Sequence, residues 1–333
     1  NYWKKKGSGK MNFDAVVGNP PYQEMDGGAQ ASASPLYHHF VGTAKRLNPT
    51  YISFIMPTRW YVGGKGLDSF RNEMLNDVHI KELYDCLTPE DIFPNTNIRG
   101  GVCYFLWDKN HDNSKELTRV VTLENNKIIA DVIRPIRVEG SDIFIRDAKA
   151  VDILRKIFSK GNVPVMANHI SARKPFGLAS NFIKTANFHE NAKGLNNPVK
   201  CYGKAKTVGY LERDMIKIRS EWIDFWKVFT QRANNIGTEL NDDNLNTFVG
   251  EPGTICTESY IVIGENLNLD KISANNISKY FMTKFARYMH SLGKASQDAT
   301  AKTYRFVPLE DFTNKSDIDW NKSIKEIDIQ LYK

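Results

Sequence analysis

Apolar residues in the first third of the chain fall into short blocks separated by helically spaced stripes. Phe13-Asp14-Ala15-Val16-Val17-Gly18 and Tyr51-Ile52-Ser53-Phe54-Ile55-Met56 read as strands, the second closed by Pro57. Between them Leu36, Phe40, Val41, Ala44 and Leu47 recur at the spacing of one helix face, and Asn48-Pro49 ends that helix. A second stripe, Leu67, Phe70, Met74 and Leu75, follows Gly63-Gly64-Lys65-Gly66. Ile80 to Leu83 is a further strand. Gly101-Val102-Cys103-Tyr104-Phe105-Leu106-Trp107 shows no solvent face, which places it inside the same sheet. Strand alternating with helix from residue 12 to about 110 predicts an α/β fold, a parallel sheet with helices on its faces.

After residue 110 the alternation lapses. Asn125-Asn126 lies between Arg119-Val120-Val121-Thr122-Leu123 and Lys127-Ile128-Ile129-Ala130, which predicts a hairpin with a turn tolerant of positive φ. Val151, Leu154, Ile157 and Phe158 predict a helix leading into a second domain, and the chain divides on this reading into 1–150 and 151–333. From about 161 to 310 the pattern is one of strands and loops rich in Lys, Arg, Asn and Gly, with one clear helix from Ile277 to about Leu292.

A length of 333 residues fits two domains, and 41% hydrophobic with 25% charged residues is the composition of a soluble globular protein. The net charge of +7 favours a polyanionic partner. No uncharged apolar run is long enough to cross a bilayer, and Asn1-Tyr2-Trp3-Lys4-Lys5-Lys6 lacks the apolar stretch of a signal peptide. The expectation is a cytoplasmic protein with no membrane partner. Cys86, Cys103, Cys201 and Cys256 have no zinc-ligand spacing and read as reduced, mostly buried thiols. The histidines are adjacent at His38-His39 and otherwise scattered, so no metal site is expected.

The chemistry begins where the first strand ends, at Asn19-Pro20-Pro21-Tyr22. Two consecutive prolines cannot continue strand pairing, because neither has an N–H to donate and each fixes φ. The backbone therefore turns out, leaving carbonyls and the Asn19 amide oxygen at the carboxyl end of a strand, with the Tyr22 ring beside them. Two acceptors and a stacking ring suit the exocyclic amino group of a flipped-out base. An Asn-Pro turn after a core strand is the plain structural alternative.

In these residues the chain resembles the amino-methyltransferases that use S-adenosylmethionine, whose fourth motif is (Asp/Asn/Ser)-Pro-Pro-(Tyr/Phe/Trp). The stretch from Phe93 to Trp107 looks like the eighth motif of adenine methyltransferases, with Phe93 at the position that stacks on the opposite face of the base. Met56-Pro57-Thr58-Arg59-Trp60 and the glycine-rich loop after it resemble a segment of restriction-modification methylases of the large single-chain, Eco57I-like kind. That segment admits two readings: a substrate-facing loop with Arg59 near phosphate, or a helix-capping turn with Trp60 as a packing anchor. Leu36 and Tyr37 fall where the fifth motif frames the cofactor, and core packing explains them equally well. In the second domain, Ser171 to Gly177 and Ser296 to Thr300 resemble a target-recognition region, which makes Arg173, Lys174, Lys294 and Gln297 candidate DNA contacts.

The resemblance implies a site-specific DNA adenine methyltransferase of a restriction-modification system. Its implied parts are a truncated Rossmann-like methyltransferase sheet followed by a mixed α/β target-recognition domain. Its implied cofactor is S-adenosylmethionine; its implied partners are double-stranded DNA and a restriction nuclease, fused or separate. In this family the cofactor's glycine-rich loop precedes the tetrapeptide. The expectation is therefore that the first strands of the sheet lie before Asn1, that Phe13 to Gly18 is left at an edge, covered by Tyr2-Trp3 or another copy, and that this chain alone does not methylate DNA and binds the cofactor weakly or not at all. Phe248-Val249-Gly250-Glu251-Pro252-Gly253 matches a cofactor loop only superficially, since Thr257 to Ile263 continues as a strand instead of a helix. RNA and release-factor glutamine methyltransferases share the tetrapeptide, and a non-catalytic DNA-specificity fragment is the third reading.

Overall fold

A computed structural model of the chain describes residues 13–24, 34–96, 98, 100–159, 161–234, 245–294 and 298–332. The chain forms two compact units divided between Ser159 and Lys160.

The first unit is built on a mixed sheet of β1 (Ala15–Gly18), β2 (Tyr51–Pro57), β3 (Ile80–Cys86), β4 (Val102–Asp108), β5 (Thr118–Glu124) and β6 (Lys127–Arg134), in the order β1-β2-β4-β3-β5-β6. Helix α1 (Tyr37–Arg46) links β1 to β2, and α2 (Asp68–Asn76) links β2 to β3. The expected all-parallel sheet is corrected here: β1/β2 and β3/β5 pair parallel, but β4 runs antiparallel between β2 and β3. The reason lies in the connection. Parallel neighbours need a long crossover, usually helical, whereas β3 reaches β4 through a loop whose only helical element among the described residues is the 3₁₀ turn Pro89–Asp91. β1 pairs with β2 alone and stands at the sheet edge among the described residues; Tyr2-Trp3 lies outside them.

β2 alternates, burying Ile52, Phe54 and Met56, and these join Val41, Phe70 and Met74 of the two helices in one core. The α1 face differs from the predicted stripe: Tyr37, Val41 and Ala44 are buried while Phe40 and Leu47 are exposed. The i, i+4, i+7 row is the one turned inward, and it contains the tyrosine that an apolar stripe passes over. The β5–β6 hairpin turns at Asn125-Asn126, both with positive φ.

The second unit is also mixed α/β. One three-stranded sheet is β10 (Phe248–Gly250), β9 (Lys227–Gln231) and β12 (Tyr260–Ile263); another is β11 (Thr254–Cys256), β7 (Pro198–Tyr202) and β8 (Val208–Glu212). Among the described residues three α-helices accompany them, α4 (Lys271–Tyr280), α5 (Lys284–Leu292) and α6 (Ile324–Leu331), while α3 (Ala148–Phe158) closes the first unit. The single helix expected over 277–292 is two. Thr283 breaks it: its hydroxyl donates to the Tyr280 carbonyl at 2.6 Å and accepts from the Ala286 amide at 3.2 Å, ending one helix and capping the next. All four cysteines are free and buried. No helix among the described residues is long and apolar enough to cross a membrane.

Candidate functional site

Register brings several loops to one end of the first sheet. Gly18 lies opposite Phe54, Pro57 opposite Val102, and Val102 opposite Cys86. The segments after β1, after β2 and between β3 and β4 therefore emerge together, at the carboxyl ends of the parallel pair β1/β2.

At that end Asn19 is exposed, Pro20 buried and Tyr22 half-buried. The chain then folds back: the Leu36 amide donates to the Tyr22 carbonyl at 3.1 Å, the Glu24 amide donates to the Ser34 carbonyl at 3.0 Å, and Gln23 bridges Pro35. The Tyr22 carbonyl is thus occupied by Leu36. The acceptors at Asn19 and Pro20 remain, and the fold-back ties the Leu36-Tyr37 segment to the tetrapeptide.

Phe93 comes from a loop more than seventy positions away, yet its ring centre stands 6.4 Å from that of Tyr22, edge to face at 73°. Both rings are half-buried. The Tyr22 hydroxyl is enclosed without a hydrogen-bond partner. Burial, helped by the nearby Cys103 thiol, pushes it up to about 12, so it stays neutral over any working pH. Beneath it Cys103 is fully buried and accepts a 3.4 Å hydrogen bond from the Trp60 indole.

The remaining candidates separate. Arg59 is exposed on the 3₁₀ turn Thr58–Tyr61, whose Trp60 and Tyr61 are core residues. The glycine-rich turn after it is a local device: Gly63, Gly64 and Gly66 all have positive φ, and Arg71 holds the Val62 carbonyl at 2.8 Å. Leu36 is half-buried, and Tyr37 is 1% exposed with its ring against Phe70. In the second unit Arg173 donates from Nε to Glu258 at 2.8 Å, and Lys174 lies 3.9 Å from the same carboxylate. The Ser180 amide and the Arg173 guanidinium hold the Glu258 carboxyl down to about 2. Lys294 is turned inward, donating to the Asn234 backbone carbonyl at 2.8 Å and to its side chain, and burial lowers its amine to about 8. Gln297 lies outside the described residues. Among the described residues no group of three or more His, Cys, Asp or Glu side chains is placed to hold a metal ion.

A ring pair frames the end of β1, with the Asn19 and Pro20 acceptors on the turn beside it. Residues 1–93 match the family model of the Eco57I restriction-modification methylases. The match closes on Phe93 and contains the tetrapeptide, both helices and the first three strands. An uncharacterized adenine-specific methylase of Mycoplasma pneumoniae (strain ATCC 29342 / M129 / Subtype 1) is 34% identical over 114 residues, covering 33% of this chain. The chain spans about a quarter of that relative, 27% of its length. Similar solved structures include the type IIL restriction-modification enzyme MmeI in complex with DNA, 10% identical with a TM-score of 0.44 over 88% of this chain and 46% of that one. The type IIG restriction endonuclease BpuSI is 12% identical, TM-score 0.32, over 84% and 42%. The methylase resemblance read from the sequence thus holds for the first unit's amino-terminal part, and a methylase implies a methyl donor.

Two residues that shape this end of the sheet, Asp85 and Arg146, gave no motif. A lone Asp in the apolar run Leu83-Tyr84-Asp85-Cys86 was the available signal; its partner, 61 positions on, was not predictable from spacing.

Proposed function

We propose that the chain carries the base-capturing part of a site-specific DNA adenine methyltransferase, with the second unit as its target-recognition part. The observation that carries this reading is Asn19-Pro20-Pro21-Tyr22 at the carboxyl end of β1 with Phe93 brought beside Tyr22. Asn19 Oδ1 and the Pro20 carbonyl would accept the two hydrogens of the exocyclic amino group, which fixes the nitrogen and turns its lone pair to the open side. Tyr22 and Phe93 would stack on the extruded base, offsetting part of the few kcal/mol that unstacking costs. The amino nitrogen can release its proton to water after attack, so no general base is assigned. The orphaned Tyr37 hydroxyl, and the Leu36 amide that donates to the Tyr22 carbonyl, fit one wall of a polar ligand site, and we assign Leu36 and Tyr37 to the donor's side of the seat. S-adenosylmethionine, when bound, supplies an electrophilic methyl group. Duplex DNA, a restriction nuclease and the cytoplasm are the partners and setting that this reading entails.

The test is Asn19→Ala in the full-length protein. Methyl transfer from labelled S-adenosylmethionine to unmodified plasmid DNA should fall by roughly 100-fold or more, with DNA retention nearly unchanged. Wild-type turnover in that variant sinks the reading.

A further inference from the structure

Asp85, on β3, is fully buried, and a buried carboxylate without a partner is not sustained. Arg146 supplies that partner in a forked pair, Nε to Oδ2 at 2.8 Å and Nη2 to Oδ1 at 2.6 Å. The remaining nitrogen points elsewhere: Nη1 donates to the Gly100 carbonyl at 2.7 Å. Thr58, which opens the 3₁₀ turn after β2, grips the same place, its hydroxyl donating to the Gly100 carbonyl at 2.6 Å and its amide to the Gly101 carbonyl at 3.1 Å. Gly100 and Gly101 have φ of +90° and +98°, and a Cβ on Gly101 would stand 2.4 Å from the Cys86 carbonyl and 2.8 Å from Arg146 Nη2. Only glycine lets the backbone come this close to the guanidinium. The other end of the same loop is held as well, with the Phe93 amide on the Pro89 carbonyl at 2.9 Å and Asp91 accepting from the Asn126 amide at 2.7 Å.

We propose that Arg146 is a positioning residue for base capture: pinned by Asp85, it fixes the Gly100 carbonyl and with it the loop on which Phe93 faces Tyr22. The inference rests on the proposed reading of that ring pair. A lysine at 146 keeps the charge but lacks the fork, so it cannot serve Asp85 bidentately and Gly100 together. Thr58→Val removes the hydroxyl's grip while leaving the ion pair intact.

The full-length protein carrying Arg146→Lys or Thr58→Val separates the possibilities. We expect melting temperatures within about 4 °C of wild type and amide hydrogen exchange roughly tenfold faster in peptides bearing Phe93 and Gly101, with the β2 and β4 amides unchanged. On plasmid DNA kcat should fall roughly 10- to 100-fold with KM for DNA within about twofold. Unchanged exchange in those peptides, an unchanged kcat, or a loss shared equally by KM and overall melting would overturn the proposal. Wild-type protein that transfers no methyl group to DNA would instead overturn the reading of the ring pair, while the exchange measurement still reports whether Arg146 holds the loop.

Discussion

Tyr22 enters the site as a ring, since its enclosed hydroxyl bonds to nothing. Tyr22→Phe should therefore methylate within about threefold of wild type, whereas Tyr22→Ala and Phe93→Ala each remove one stacking face. A face is worth about 1–3 kcal/mol per base, or roughly 5- to 150-fold in capture. With 2-aminopurine at the methylated position, the two alanine variants should lose most of the emission change seen on wild-type binding, and Tyr22→Phe should keep it. Glu258 makes a residue-scale statement about the second unit. Its carboxyl titrates at about 2 in the fold against an ordinary 4.5. Because the folded value is the lower one, its contribution is complete above about 4.5 and is lost as pH falls toward 2. Wild type should out-melt Glu258→Gln at pH 7, and that advantage should shrink to nothing in acid. A constant difference across that range would remove the carboxylate from the account.

Strand β4 decides what the first sheet can present. Lying antiparallel between β2 and β3, it puts its own start, rather than its end, beside the carboxyl ends of its neighbours. That is how a residue preceding β4 comes to stand next to the turn that follows β1. The entry to β4 depends on Gly101, where a side chain would demand both a left-handed backbone and room already filled by the Cys86 carbonyl. Gly101→Ala should cost about 1–3 kcal/mol or more in chemical denaturation and should loosen the Phe93 loop even where the protein still folds. Thr283 is the comparable hinge in the second unit, and Thr283→Ala should lower stability by about 1 kcal/mol through loss of the α5 cap.

For the molecule as a whole, the formal charge of +7 and the exposed cations of the Ser171 to Gly177 turn are what the proposed DNA binding would draw on. We expect the chain to bind duplex DNA with an affinity that drops steeply as salt rises, because each phosphate contact releases counterions. Arg173→Ala should flatten that salt dependence by about one phosphate's worth if its guanidinium meets the backbone, and should change sequence preference if it meets a base. Binding indifferent to salt would make the second unit structural. Glu258 gives Arg173 a fixed starting point for either contact, since it engages Nε and leaves the outer edge of a 63% exposed side chain toward solvent.

By itself the sequence determined what is local. Proline pairs end strands, Asn125-Asn126 tolerates positive φ, apolar blocks make strands, and Asn19-Pro20-Pro21-Tyr22 turns the chain out of β1; each depends on residues within a few positions of one another. What it left open involves partners far apart along the chain. Residue spacing does not say that β4 inserts antiparallel, that the inward row of α1 includes Tyr37 and leaves Phe40 outside, or that Lys294 turns in toward Asn234. Nor does it say that Asp85 waits for an arginine from the segment after β6. Those choices are made by pairing register and by the need to neutralise or hydrogen-bond whatever is buried, and both are properties of the assembled core. The Tyr22–Phe93 pair shows the division: each ring was named from its own motif, but only the packed sheet brings the two within 6.4 Å.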